Sequence, residues 1–216
     1  MDEPETMAEA ARLWATAQAL ARAADAVRGG APSRVPPLLL FTDPERTPRP
    51  WEIAARMPAG AGVVYRAFTD PDALEVARRL RAVTHEAGMT LLIGLDSDLA
   101  DRVGADGLHL PERALSAAYA LSGRRPGWIL TGAVHSVEAA RTARDLDAVV
   151  LSPVFPAGGA SAGRPGLGAE ALRVAASGRN RVVALGGITA ETAEFVEGSG
   201  ACGLAAIGGI AEVFGA

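Results

Sequence analysis

The chain has no lysine. Its 21 Lys-plus-Arg residues are all arginine, set against 25 Asp and Glu in 216 residues. Schiff-base catalysis needs a primary amine on the protein, so the lysine-dependent aldolase chemistry is excluded. The surplus of Ala, Gly and Arg points to nucleotide bias as the cause, but the chemical consequence stands either way. Cysteine is almost as scarce: Cys202 stands alone, which rules out an internal disulfide and a thiolate metal cluster. Positive charge is not in excess, and a net charge of −4 gives no support to a nucleic-acid partner. No apolar run approaches the roughly 20 residues of a membrane span. The first residues carry Asp2, Glu3 and Glu5 rather than a basic-then-apolar secretion signal. These features lead to the expectation of a cytoplasmic protein with neither membrane nor nucleic acid among its partners.

What the chain has is a repeated turn. Leu185-Gly186-Gly187-Ile188 and Ile207-Gly208-Gly209-Ile210 each follow an apolar run, Arg181 to Leu185 and Gly203 to Ile207. Paired glycines after a strand let backbone approach a ligand without a Cβ in the way. A helix starting just afterwards turns its free N–H groups toward the same spot, which favours an anion. Two such turns in succession match the last two βα loops of a (β/α)₈ barrel, where a phosphate is held; the plainer alternative is a pair of strand exits.

The rest of the chain fits that architecture. Candidate strands run over 38–42, 62–68, 90–95, 107–110, 129–135, 148–153, 181–185 and 203–207, eight in all. Most are continuously apolar, as expected for a parallel sheet covered on both faces. Helical patterns lie between them: 71–87 with Asp70 as N-cap, 136–146 opening on Ser136, 168–177, and 189–197. Residues 7 to about 28 read as an amphipathic helix ended by Gly29-Gly30 and Pro32. The expected fold is therefore α/β, a (β/α)₈ TIM barrel over 35–216 with an N-terminal helical extension over 1–34 packed at its base. Phe155 to Leu167, with four glycines, two prolines and no periodicity, reads as a mobile loop over the mouth: a lid, or a bulge without consequence.

Catalytic groups of such barrels sit at the strands' C-terminal ends. There the sequence places Thr42, Asp43, Arg66, Asp96, Asp98, His109, His135 and Ser152. His135 ends a strand and opens a helix, and its imidazole titrates near neutrality, which suits proton transfer; capping the helix is the alternative role. His109, between Leu108 and Leu110, either faces the pocket or is a satisfied core histidine. His85 reads as a surface residue. Arg66 is placed to grip a carboxylate or phosphate, or to pair with a neighbouring aspartate. Asp98 reads as a first-turn helix residue, and no convincing carboxylate pair for a metal stands out.

Together with Leu40-Phe41-Thr42-Asp43, Asp98-Leu99-Ala100, Gly104-Ala105-Asp106-Gly107-Leu108-His109-Leu110, Gly132-Ala133-Val134-His135-Ser136 and Ser152-Pro153-Val154-Phe155-Pro156, the two glycine turns resemble the thiamin phosphate synthase superfamily. That superfamily includes the TenI-type thiazole tautomerases, and the resemblance spans roughly 36 to 212. It implies a barrel binding a phosphorylated thiazole, with phosphate on the backbone of Gly187, Ile207 and Gly208. Gly186, Gly209, Ser152 and His109 would stand close by, and a homodimer is compatible with it.

Departures from the pattern bear on which activity survives. Synthases join a pyrimidine pyrophosphate to the thiazole phosphate, with magnesium on the leaving group. Their second strand typically ends Gln-Leu-Arg-Glu-Lys, where this chain has Val64-Tyr65-Arg66-Ala67-Phe68. Leu95 and Ala114 stand where they carry magnesium aspartates, and the lysine of their sixth loop is missing. Arg66, with Arg164 in the loop, is left to offset charge on a departing pyrophosphate. The leading expectation is therefore a TenI-like tautomerase without cofactor. In it His135 is the catalytic acid/base, and Arg66 and the Ser152 loop lie near the substrate carboxylate. The alternatives are a divergent synthase, the one case that calls for Mg2+, and a non-catalytic binder of thiazole or thiamin phosphates.

Overall fold

The computed structural model describes residues 3–29, 32–159 and 162–215. Eight parallel strands close into a barrel in sequential order: β1 (Leu38–Phe41), β2 (Gly62–Tyr65), β3 (Thr90–Gly94), β4 (Gly107–Leu110), β5 (Ile129–Val134), β6 (Ala148–Leu151), β7 (Val182–Leu185) and β8 (Gly203–Ala206). The last strand pairs with the first, Leu38 to Leu40 lying beside Leu204 to Ala206. Alternate residues then face opposite ways. Leu39, Phe41, Val64, Leu92, Val150, Val183 and Ala205 fill the barrel interior. Leu38, Leu40, Val63, Leu91, Ile93, Leu151 and Leu204 face the surrounding helices. Both faces are dry, so the strands are apolar throughout instead of alternating.

The outer layer comprises α1 (Glu3–Arg28), α2 (Pro50–Ala54), α3 (Ala73–Glu86), α4 (Ser97–Val103), α5 (Ala118–Arg124), α6 (Val137–Thr142), α7 (Gly168–Ala176) and α8 (Gly208–Phe214), with 3-10 turns at Glu112–Ala117 and Thr192–Val196. Two helices start later than the sequence suggests. α3 is preceded by Asp72, not Asp70, because the Asp70 carboxylate accepts the Asp72 amide at 2.9 Å and holds that stretch as a turn. The segment predicted as a helix over 189–197 forms only a 3-10 turn. Thr192 Oγ1 accepts the Thr189 amide at 2.9 Å and Thr189 Oγ1 accepts that of Thr192 at 3.2 Å, a reciprocal cap on the first turn; the turn stops at Val196, where Glu197 leaves the helical region with ψ 141°. α2 escaped the reading of periodicity, although Pro50 at its first position is a start signal.

α1 does not simply cap the base. Leu13, Ala17 and Leu20 pack in the helix–sheet layer, alongside α8, β8 and β1. Only the helix's last turns reach the bottom, where Ala24 joins the interior cluster. There Arg28 donates to the carbonyls of Arg179 at 2.8 Å, Asn180 at 2.6 Å and Gly178 at 3.2 Å, and Asp25 pairs with Arg181 at 2.5 Å. Gly29, with φ +60°, ends the helix; Gly30, proposed with it as the stop, lies outside the described residues. One guanidinium thus gathers carbonyls at the entrance to β7, and charged hydrogen bonds are each worth about 1.5–3 kcal/mol. Arg28→Ala is expected to lower the unfolding free energy by about 2–3 kcal/mol in urea titration, with ligand binding at the opposite end of the barrel unchanged; an unaltered midpoint would show that α1 is held by apolar packing alone.

Candidate active site

The C-terminal ends of the strands open into a cavity of about 1130 Å³. The nine residues given a catalytic or binding role from sequence border it: Arg66, His109, His135, Ser152, Gly186, Gly187, Ile207, Gly208 and Gly209; of the other strand-end candidates, Asp43 and Asp96 border it and Thr42 and Asp98 do not. Arg164, raised only as a helper, lines it too, and so do Arg46 and Arg113. Neither of these last two carries a local signal, because each comes from a loop whose approach depends on barrel closure.

The glycines divide by role. A Cβ on Gly187 would lie 2.6 Å from the Pro156 carbonyl oxygen, and one on Gly209 would lie 2.1 Å from that of Ile188. Loop packing therefore demands glycine at both positions, and Gly187 also sits at φ +63°. Thr192 Oγ1 donates to the Gly187 carbonyl at 2.6 Å and locks the turn. Gly208 is different: a Cβ there meets nothing within 4 Å and would project into open space. It is the first residue of α8, so its amide has no acceptor within the helix. The two turns thus hold backbone donors beside empty volume, the arrangement that receives an oxyanion.

Arg66 follows β2. Its amide donates to Thr42 Oγ1 at 2.9 Å and its Nε to the Thr42 carbonyl at 2.8 Å, which aims the guanidinium across the mouth. The rings of Phe41 and Phe68 lie 5.7 and 5.2 Å from the guanidinium carbon. Burial lowers its pKa from the ordinary value; nearby Asp43 counters this and Arg46 adds to it. Arginine stays protonated regardless. One nitrogen, NH2, is buried with no hydrogen-bond partner and lies 3.9 Å from Asp43 Oδ2.

His135 follows β5. Its Nδ1 is 2.8 Å from the Ser152 carbonyl oxygen, which can only accept, so Nδ1 carries the proton. In the neutral ring the free lone pair is then on Nε2, which stands 4.0 Å from Glu112 Oε2. Glu112, which sequence reasoning did not raise, comes from the 3-10 turn after β4 and stands beside His135, outside the residues that line the cavity. His135 is not the cap of α6; Ser136 is, accepting the Ala139 amide at 3.0 Å. His109 faces inward from β4, combining the two readings of it: it borders the cavity yet is only 6% exposed. Its Nδ1 is 3.0 Å from Thr131 Oγ1, and Phe41 stacks edge-on at 4.9 Å. Burial, aided by the charge of Arg66, pushes its pKa down to about 3, so this imidazole is neutral at physiological pH.

Magnesium fits this site poorly. The carboxylates on the rim are Asp43 and Asp96. Burial pushes the Asp43 pKa up, but hydrogen bonds and charge from Arg46, with the Glu45 amide, outweigh it and hold the carboxyl low. Asp96 caps α4 through the Leu99 amide at 2.9 Å. Among the described residues no three His, Cys, Asp or Glu side chains are grouped to hold a metal. Leu95 sits at φ +64°, a left-handed conformation that Asp and Asn adopt with less strain than leucine.

A family described as Thiamine monophosphate synthase matches residues 39–210. A thiamine-phosphate synthase from Methanoculleus marisnigri is 36% identical over 142 residues, spanning 64% of this chain and 67% of the relative. One from Chlorobium luteolum is 30% identical over 181 residues, 81% of this chain and 85% of the relative. Among solved structures, a thiamine phosphate pyrophosphorylase from Pyrococcus furiosus superposes with a TM-score of 0.68 at 26% identity, covering 82% of this chain and 92% of that one.

Two outcomes follow from this geometry. The unfolded chain takes up a proton at His109 near its ordinary pKa of 6.5, whereas the folded chain does so only near pH 3. The stability linked to His109 is therefore complete above pH 6.5 and is lost as pH falls, by up to about 1.4 kcal/mol per unit. Denaturation at pH 7 and pH 5 should show the native chain losing about 2 kcal/mol more than His109→Gln; parallel losses would refute the buried neutral imidazole. Gly208→Ala should fold with stability within about 1 kcal/mol of the native chain, yet bind thiazole phosphate at least tenfold more weakly in calorimetry. Undiminished binding would place the phosphate elsewhere.

Proposed function

The chain belongs to the thiamine monophosphate synthase family, and from that premise we propose that it is an enzyme joining a pyrimidine pyrophosphate to a thiazole phosphate. The carrying observation is the NH2 of Arg66, which makes no hydrogen bond and has only the Asp43 carboxylate at 3.9 Å for a counter-charge, a cationic group two strands away from the β8 glycine turn. A cavity with anion donors at two separate places suits two phosphorylated substrates better than one. The thiazole phosphate would rest on the amides around Gly187 and Gly208, and the pyrophosphate would lie toward Arg66. The relatives named as synthases favour this reaction over the tautomerase expected from the lost metal residues.

A second reading keeps one specific support. The Ser152 carbonyl fixes the proton of His135 on Nδ1, leaving Nε2 as a base beside Glu112, and a proton-transferring isomerase of the TenI type needs such a group.

The two are separated by assay. Thiamin phosphate should form from the two precursors, and Arg66→Gln should slow its formation by about 10²-fold or more if it stabilises the developing charge. Isomerisation of a thiazole carboxylate phosphate, lost in His135→Ala, with no coupling product would transfer the assignment to the second reading. Tight binding of thiazole phosphate with neither turnover would leave a non-catalytic binder.

A further inference from the structure

Four arginines line the cavity, Arg46, Arg66, Arg113 and Arg164, against two carboxylates. One of those carboxylates, Asp43, already accepts the Glu45 and Arg46 amides and the Arg46 guanidinium. The other, Asp96, is turned to the start of α4. Among the described residues Arg113 and Arg164 have neither an ion-pair nor a hydrogen-bond partner, and Arg66 NH2, 3.9 Å from the Asp43 carboxylate that Arg46 also holds, makes no hydrogen bond. The mouth therefore carries more positive charge than its two carboxylates neutralise. Magnesium is held by one or two carboxylates together with waters and substrate phosphates, and here both rim carboxylates are engaged, Asp43 by Arg46 and Asp96 by the Leu99 amide.

Apolar residues stand at the tops of two strands. Phe68 follows β2 at φ +47° and Leu95 follows β3 at φ +64°. They are 63% and 46% exposed, and both border the cavity. A left-handed backbone at a non-glycine residue costs about 1–2 kcal/mol. Phe68 spends that strain at a useful place, since its ring lies 5.2 Å from the Arg66 guanidinium carbon. The Phe41 ring lies 5.7 Å from the same carbon, so two rings pack against this cation and dry it. An arginine so held presents a rigid fork to phosphate oxygens, where a lysine or a hydrated metal would present a point charge.

We propose that this cavity takes a diphosphate-bearing substrate without a divalent cation, through Arg66 as the forked contact and Arg113 and Arg164 as the remaining counter-charge. The inference rests on the two-substrate reading above. In the coupling step the nucleophilic ring atom of the thiazole bonds to the pyrimidine-bearing carbon as that carbon's bond to the diphosphate oxygen breaks. Both electrons leave with the diphosphate, and the arginines balance the charge that develops on it. Phe68 is a positioning residue that acts through Arg66.

Calorimetry with inorganic pyrophosphate as the probe tests this in the presence of EDTA and, separately, of Mg2+. Binding is expected in EDTA without any gain from Mg2+. Arg66→Gln and Arg113→Gln should each weaken it by about tenfold or more, while thiazole phosphate binds both variants as tightly as it binds the native chain. That last measurement separates loss of the subsite from loss of fold. Phe68→Leu should weaken pyrophosphate less than Arg66→Gln does, with thiazole phosphate again unaffected. Pyrophosphate binding that appears only with Mg2+, or that survives both arginine substitutions, would overturn the proposal. Metal-free pyrophosphate binding in a chain that forms no thiamin phosphate would instead sink the coupling reaction and leave the arginine subsite standing.

Discussion

The pairing of β8 with β1 is the constraint on which the site depends. Leu38 to Leu40 lie in register beside Leu204 to Ala206, and that closure carries the second glycine turn next to Thr42 and Asp43, more than 160 residues away in sequence. Open the ladder and the amides around Gly208 no longer share a cavity with Arg66. The cost is carried by a two-sided apolar core, in which a buried leucine or valine contributes about 1.5–3 kcal/mol. The polar ends of the strands are thereby freed for chemistry.

Electrostatics at the mouth follow from a composition without lysine. With only arginine available, positive charge arrives as planar forks that stack on rings and resist deprotonation. Arg66 illustrates the result: Thr42 orients it, the Phe41 and Phe68 rings lie close to it, and one nitrogen makes no hydrogen bond. The two histidines diverge for a related reason. His109 is buried near that charge and stays neutral. His135 stands at the open rim, 45% exposed, with its tautomer set by a backbone carbonyl. Two imidazoles on adjacent strands thus have different chemistry because one is dry and the other is wet.

Local signals carried much of this architecture. Continuous apolar runs marked all eight strands, and the paired glycines marked two turns that border the cavity. They overshot at strand ends, since Phe68, Leu95 and His135 leave the ladder before the apolar pattern stops. The helical pattern at 189–197 yields only a short 3-10 turn, because the backbone leaves the helical region at Glu197. The loop from Phe155 to Leu167 reaches the site through Pro156, Ala157, Gly158 and Arg164; residues 160 and 161 lie outside the described chain. Its ends are tied down, the Leu167 and Gly168 amides donating to Pro153 and Val154 at 2.9 and 2.8 Å.

By itself the sequence determined the barrel, the family, the exclusion of lysine chemistry and the identity of the residues at each strand tip, because hydrophobic period and glycine spacing act over a few neighbours. Only the tertiary structure decided which of those residues meet. Arg46 and Arg113 entered the site from loops with no motif of their own. Gly208, unlike Gly187 and Gly209, is not required to be glycine by packing, since a Cβ there would stand in open space. Such facts depend on distances between segments far apart in the chain, and only the closed ladder sets those distances.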